Sequence, residues 1–449
     1  MLDVAPPESF TDSQRRWFAD ACARVDIDTL RRRTVDAVAI PSPAGAESAL
    51  ADYFVDTMRD GGLEAVSQPF APGRANAMAR RSGDGSGPEV LLYAPFDMHI
   101  DGDAASDGPW LDLDGRTDLR PQPIVEGDFV IGLGAENPKG HAVCVAAAAI
   151  ALAQADVPLR GDLVVGLCGG GMPVNASARG PAGHGVGCAA MLEHGGVAPD
   201  AAVIAKPGGA VAYEEVGLCW FKLTVRGRFG YAGIPPRASG RNAIVDAATV
   251  VAHLTAWFPQ YTARHTSGLV APNGMVSAIA GGWSDKPAFV PDICEVYVDL
   301  RISPRTTPDD AARELGAALD AIRTAEPGLA VACERIAAIP GTSTPPEHWI
   351  IRSSIGAWEA AYGRPHALRT GTSGATDANV LRGHGIPTAR IGMPPLGPDA
   401  PFAGRFSMGV VSVRAMARLT AALIAIAIDG CTRTRHELAF PDRKDASAA

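Results

Sequence analysis

The chain has 449 residues, 47% of them hydrophobic and 20% charged, too long for one ordinary core and apolar enough to bury two. A net charge of −9 argues against a nucleic-acid or anionic-membrane surface, since phosphate affinity rests on clustered lysine and arginine. A small-molecule partner is the expectation that remains.

The opening "MLDVAPPESF" has neither a basic start nor an apolar core, so it does not read as a secretory signal, and a cytoplasmic location is expected. Eight cysteines are scattered without CxxC pairing and read as reduced, mostly buried thiols. Strand-like runs alternate with helical ones: "EVLLYA", the Ala-rich run after Gly140, "DLVVGLC", then "AAVIA" before Lys206. This predicts α/β architecture, a mainly parallel sheet with helices on both faces. Sites in such sheets lie at the C-terminal strand ends, here near Tyr93, Leu167 and Ala205. From 216 to 336 the order strand, helix, strand, strand, helix, strand predicts an inserted open-faced α/β sandwich, with helices starting near Asn242 and Thr307. The domains are therefore 1–215, 216–336 and 337–449. The apolar "VRAMARLTAALIAIAID" is too short and too basic for a membrane span and reads as a buried helix, and the tail "PDRKDASAA" reads as disordered.

Several residues near the predicted strand ends carry chemistry. In "FDMHID" an imidazole, His99, stands between Asp97 and Asp101, which would orient the ring and raise its pKa, making a general base. A lone histidine is also an ordinary packing residue. The loop "CGGGMP" offers bare N–H groups at Gly170 and Gly171 as an anion nest, or is simply a turn. Cys168 before it is either a nucleophile or an inert buried thiol. His141 and His184 fall in loops that could touch a substrate.

Five motifs in order resemble one family. "IPSPAGAESALADYFVDTMRDGGLEA" is similar to its "ipSpsgxE" opening and "IGLGAENPKGH" to "GRGAxDxKG". "GYAGIPPRASGRNAI" is similar to "GxxHaxxPxxGxNAi", "GGWSDKPAFVPDICEVYVDLRISP" to "GGxxxNviPdxcxxxxdiRxxP", and "GTSGATDANVLRGHGIPTARIG" to "ggtDarxlxxxGiPxxxxG". The family is that of the co-catalytic zinc amidohydrolases and exopeptidases, including glutamate carboxypeptidase, acetylornithine deacetylase, succinyl-diaminopimelate desuccinylase and allantoate amidohydrolase. The resemblance implies a two-zinc site, yet the ligand positions carry other residues. Pro95 stands for the first histidine, Asn137 for the bridging aspartate, and Gly171 and Met172 for the glutamates. Lys206 replaces a carboxylate, and Arg405 falls near the last histidine.

Zinc takes imidazole, thiolate or carboxylate, so no metal and no other cofactor is expected. Fixed charge on Lys206 and Arg405 would hold an anionic substrate in place of the cations. Tyr231 stands where the family's inserted domain has a histidine, and with Asn137, Asp97, His99 and Cys168 it completes the candidate catalytic set. The resemblance adds Asn242 as a carboxylate grip, with Arg301 as a further contact or a structural ion pair. Ser373 and Asp377 occupy a loop near the family's site, or one retained for packing. Lys139 matches the family pattern and could anchor the loop before its helix. The expectation is a metal-independent enzyme cleaving an amide or ureido C–N bond, a hydrolase before a lyase. Rival readings are a non-catalytic binding homologue and a metallohydrolase with relocated ligands. By resemblance the inserted domain makes a homodimer.

Overall fold

The computed structural model describes residues 4–174, 183–234 and 241–441, so the tail 442–449 and the middle of "GYAGIPPRASGRNAI" lie outside the described residues. The chain divides into two compact units: residues 1–213, 344–369 and 376–449 form the first, and 214–343 with 370–375 the second.

The first unit is built on six strands: β1 (Glu64–Ala71), β2 (Arg74–Arg81), β3 (Val90–Pro95), β4 (Leu163–Cys168), β5 (Ala201–Ala205) and β6 (Thr388–Ile391), in the order β1-β2-β4-β3-β5-β6. The last four in that order run parallel, and β2 joins them antiparallel. All residues of β3, β4 and β5 are buried. That explains why these strands read as unbroken apolar runs rather than alternating ones: both faces are covered. Val90, Leu92 and Ala94 enter one core with the helices Lys139–Gln154 and Val413–Cys431. Leu91 and Tyr93 enter the opposite core with the helices Val186–His194 and Ala378–Gly383. The run expected as a buried helix is Val413–Cys431, and among the described residues no helix is long and apolar enough to cross a membrane.

Lys139 fixes where the helix Lys139–Gln154 begins. Its side chain is buried, and its ammonium donates to the carbonyls of Ala37 and Ile40 at 2.9 and 2.7 Å. Those carbonyls belong to the C-terminal end of the helix Ile27–Ala39, where orphan acceptors and the helix dipole favour a cation. The segment just before Lys139 is thereby tied down.

In the second unit four antiparallel strands follow the order 274–281, 293–302, 217–226, 330–339. Cys219, Phe221, Leu223 and Val225 alternate inward against the helices Ala243–His265 and Pro308–Ala325. Asn242 and Thr307, read as helix starts, are the N-caps. All eight cysteines are free thiols, and only Cys333 is exposed.

Replacing Lys139 by alanine strands buried carbonyls, each costing about 1–3 kcal/mol. Lys139→Ala should lower the urea midpoint of unfolding, followed by circular dichroism; an unchanged midpoint would contradict the anchoring role.

Candidate functional site

Three chain segments leave the C-terminal ends of β3, β4 and β5 side by side. After β3 comes Asp97, fully buried, whose Oδ1 accepts the Gly171 N–H at 2.8 Å and whose Oδ2 accepts the Met172 N–H at 3.0 Å. The Gly169 N–H is taken by Asn76 at 3.1 Å. The glycines are needed here. Gly170 has φ +69°, and a Cβ on Gly171 would lie 2.6 Å from Asp377 Oδ2 and 2.7 Å from Pro95 Cβ. At this loop, expected to be an anion nest, the N–H groups of Gly171 and Met172 are taken by the protein's own Asp97 carboxyl. Gly171 is therefore not a bare donor awaiting a ligand. Burial raises the Asp97 pKa to about 7, against the pull of the two N–H groups, with Glu47 adding to the rise. Asp377 accepts from the buried Tyr93 hydroxyl at 2.6 Å, consistent with a packing role. Cys168 is fully buried with its sulfur 3.8 Å from that of Met191, and burial pushes its pKa well above 9.0. A thiol held protonated is no nucleophile, so that expectation is corrected. His184 has left-handed backbone and ties its N–H to the Met172 carbonyl at 3.0 Å, bracing the same loop.

After β5 comes Lys206, buried, whose ammonium donates to Asn137 Oδ1 at 3.1 Å. Asn137 is set by its neighbours: its Nδ2 donates to Met408 Sδ at 3.0 Å and its backbone N–H to the Met408 carbonyl at 3.1 Å. Beside this pair His141 is fully buried, with Nδ1 2.7 Å from the Glu136 carbonyl. A carbonyl only accepts, so Nδ1 carries the proton and Nε2 is an acceptor, buried without a partner among the described residues. Burial first, then Lys206 and Arg390, push the His141 pKa down to about 3, against the pull of that bond, so the ring is neutral.

Glu136 completes the group, and the sequence reading missed it. Its carboxyl makes no hydrogen bond or ion pair among the described residues, and burial raises its pKa to about 7 although Lys206 draws it down. The available signal was its place in "GAENPKG", beside the bridging position, but one loop glutamate reads like any solvated charge.

His99 lies on the loop after β3 with its ring reached by solvent. Its pKa is lowered, by partial burial first and then by Lys206, with Asp107 opposing. The expected rise from Asp97 and Asp101 does not occur. Asp97 is turned into the glycine loop, and the charges that act on the ring are Lys206 and Asp107.

Of the other predicted residues, Arg405 belongs to the first unit and Tyr231, Asn242, Arg301 and Ser373 to the second. Arg405 is exposed, and its backbone N–H bonds the Phe402 carbonyl; its side chain has no partner among the described residues. In the second unit Tyr231 is 47% exposed and packs on Phe289, with ring centroids 5.5 Å apart. Asn242 uses its side-chain oxygen to cap the Ile244 N–H at 2.9 Å, and Ser373 accepts the Asn273 N–H at 3.0 Å. Arg301 pairs with Asp299 at 2.8 Å, the structural alternative.

The family's zinc pair does not fit these side chains. Proline, asparagine, glycine and lysine stand at its ligand positions, and the Lys206 ammonium rests on the residue that would bridge the two ions. A fixed cation there repels a second one. Among the described residues no three histidine, cysteine, aspartate or glutamate side chains are grouped to hold a metal ion.

Residues 213–324 match the family described as the peptidase dimerisation domain. Solved structures share the whole fold. Human carnosine dipeptidase 1 aligns with TM-score 0.67 and 13% identity over 94% of this chain and 100% of its own. The aminopeptidase PepT of Bacillus cereus gives 0.62 and 16% over 90% and 99%. A hydantoinase/carbamoylase-family amidase of Burkholderia multivorans gives 0.60 and 14% over 91% and 99%. The resemblance read from the five motifs therefore holds: the chain has the fold of these peptidases and amidases, and part of its second unit matches the peptidase dimerisation domain.

Elemental analysis of the purified protein should find zinc, manganese and cobalt below stoichiometry. Two ions per chain would contradict the mismatch between donors and metal.

Proposed function

We propose that the chain is a metal-independent hydrolase of an amide or ureido C–N bond in a small anionic compound, such as an N-acyl or N-carbamoyl amino acid. The observation that carries this reading is the Lys206 ammonium fixed on Asn137 at the end of β5, with neutral His141 and half-buried Glu136 beside it. A preorganised cation stabilises the oxyanion that forms when water adds to a carbonyl, the role the family gives to metal. Peptidases and amidases share the fold, which supports a C–N bond as the target.

The acid–base pair follows from opposite pKa shifts. His99, with its pKa lowered, is a neutral base near neutral pH and takes a proton from the attacking water. Glu136, held near 7, keeps part of its population protonated and delivers that proton to the departing nitrogen. His141 Nε2, an unpaired acceptor, is suited to hold a substrate N–H. We further propose a homodimer through the second unit, supported by the dimerisation-domain match and by exposed Met275 and Ile279 on the edge strand Gly274–Gly281. Eight unpaired thiols suit a reducing, cytoplasmic setting.

A panel of N-acyl and N-carbamoyl amino acids, assayed with and without chelator, should reveal turnover that chelator leaves unchanged. No turnover on any compound would favour a binding protein, and loss with chelator a relocated metal site. The pH profile has a definite sign. His99 works unprotonated, so activity falls as pH drops through its pKa, below the ordinary 6.5. Glu136 works protonated, so activity also falls as pH rises through about 7. His99→Ala should lose about a hundredfold in kcat, and Glu136→Gln should remove the limb near pH 7. An alkaline limb that survives in Glu136→Gln, or unchanged kcat in a folded His99→Ala protein, would reassign the pair.

A further inference from the structure

We infer that a cleft of the first unit, beside the start of the helix Val413–Cys431, binds a phosphorylated small organic molecule through Arg364, Arg414 and Arg418. The inference does not depend on the reaction proposed for the Lys206 site. The cavity measures about 510 Å³, within the usual range for small-ligand sites. Its charge is unusual for a chain of net charge −9. Three guanidinium groups line it and one carboxylate, that of Asp128.

That carboxylate is already engaged. Asp128 accepts from the Ser412 hydroxyl and from the Arg414 backbone N–H, so its oxygens cap the helix, and its single charge is outnumbered by the three guanidinium groups. Its approach to the Arg414 side chain is long, 3.9 Å. Ser412 itself takes the Ala415 N–H at 3.1 Å. These first helical N–H groups are therefore spoken for, and anion binding rests on the side chains.

Arg364 and Arg418 make no hydrogen bond or ion pair among the described residues. Arg364 is held in place by stacking its guanidinium 5.2 Å over the Trp358 ring, which leaves its donors for a ligand. In the same unit Arg74, Arg116 and Arg435 each have carboxylate partners, at 2.6, 2.8 and 2.5 Å. The Tyr362 hydroxyl, at the cleft wall, is buried without a partner among the described residues, and burial keeps it protonated as a donor.

A terminal phosphoryl group has two negative charges and three outer oxygens, and guanidinium forks match such oxygens in pairs. Phe129, Pro394, Pro395 and Leu396 also line the cleft and offer apolar surface to an attached organic group.

Titration calorimetry at fixed salt with phenyl phosphate and inorganic phosphate tests the assignment. The wild-type chain should bind phenyl phosphate one to one and more tightly than inorganic phosphate. The Arg364→Ala/Arg418→Ala double variant, checked for fold by circular dichroism and thermal melting, should bind about tenfold more weakly or worse. Lys206→Ala should bind as wild type, which separates this cleft from the Lys206 site. Equal affinity for both probes overturns the organic-ligand assignment. Unchanged binding in the double variant, binding lost in Lys206→Ala, or no heat with either probe at millimolar concentration overturns the site.

Discussion

One hydrogen bond organises the candidate site: the Lys206 ammonium on the amide oxygen of Asn137, at 3.1 Å. It joins the end of β5 to the turn before the helix Lys139–Gln154, two positions where the family's fold would place carboxylates around cations. An ammonium needs an acceptor and tolerates no second cation beside it, so aspartate to asparagine and carboxylate to lysine are changes that suit each other. The remaining electrostatics follow from that choice. Lys206 helps hold the pKa values of His99 and His141 down and opposes the rise that burial gives Glu136. The Lys206 ammonium thus puts a covalently attached positive centre in the site.

The second constraint is the absence of carboxylates from the glycine loop after β4. An exposed nest of N–H groups in a dry site would be costly. Asp97 meets that demand by turning both oxygens onto Gly171 and Met172. A residue that accompanies a metal ligand in the family's motif has here become the acceptor that shapes the loop. Glycine at 171 is what lets Pro95 and Asp377 approach so closely. On one side of the site Asp97 closes the glycine loop, and on the other Lys206 supplies a cation.

Much of this was legible in the sequence where the signal was continuous. Unbroken apolar runs marked β3, β4 and β5 because each is covered on both faces, and polar caps marked the helices begun by Asn242 and Thr307. Motif spacing put Lys206 and Asn137 at neighbouring ligand positions, and they touch. Side-chain direction was not legible. Asp97 and Asp101 adjoin His99 in the chain, yet the groups that act on its ring are Lys206, more than a hundred residues on, and Asp107, whose carboxylate also binds the N–H groups of Asp101 and Gly102. Glu136 looked like solvated charge because its burial depends on strands that meet only in the fold. Asn242 and Arg301 matched family positions but spend their polar groups locally, on a helix cap and an ion pair.

The central claim is that a lysine ammonium does the electrostatic work of the family's cations. Chemical replacement of that one group tests it most directly. Lys206→Cys, made together with Cys333→Ala because Cys333 is the exposed thiol, can be alkylated with 2-bromoethylamine to rebuild an ammonium at nearly the same reach. Turnover should collapse in the cysteine protein and return on aminoethylation, with chelator and added zinc making no difference. A cysteine protein that keeps its turnover, or regains it with zinc but not with the restored ammonium, would contradict the account.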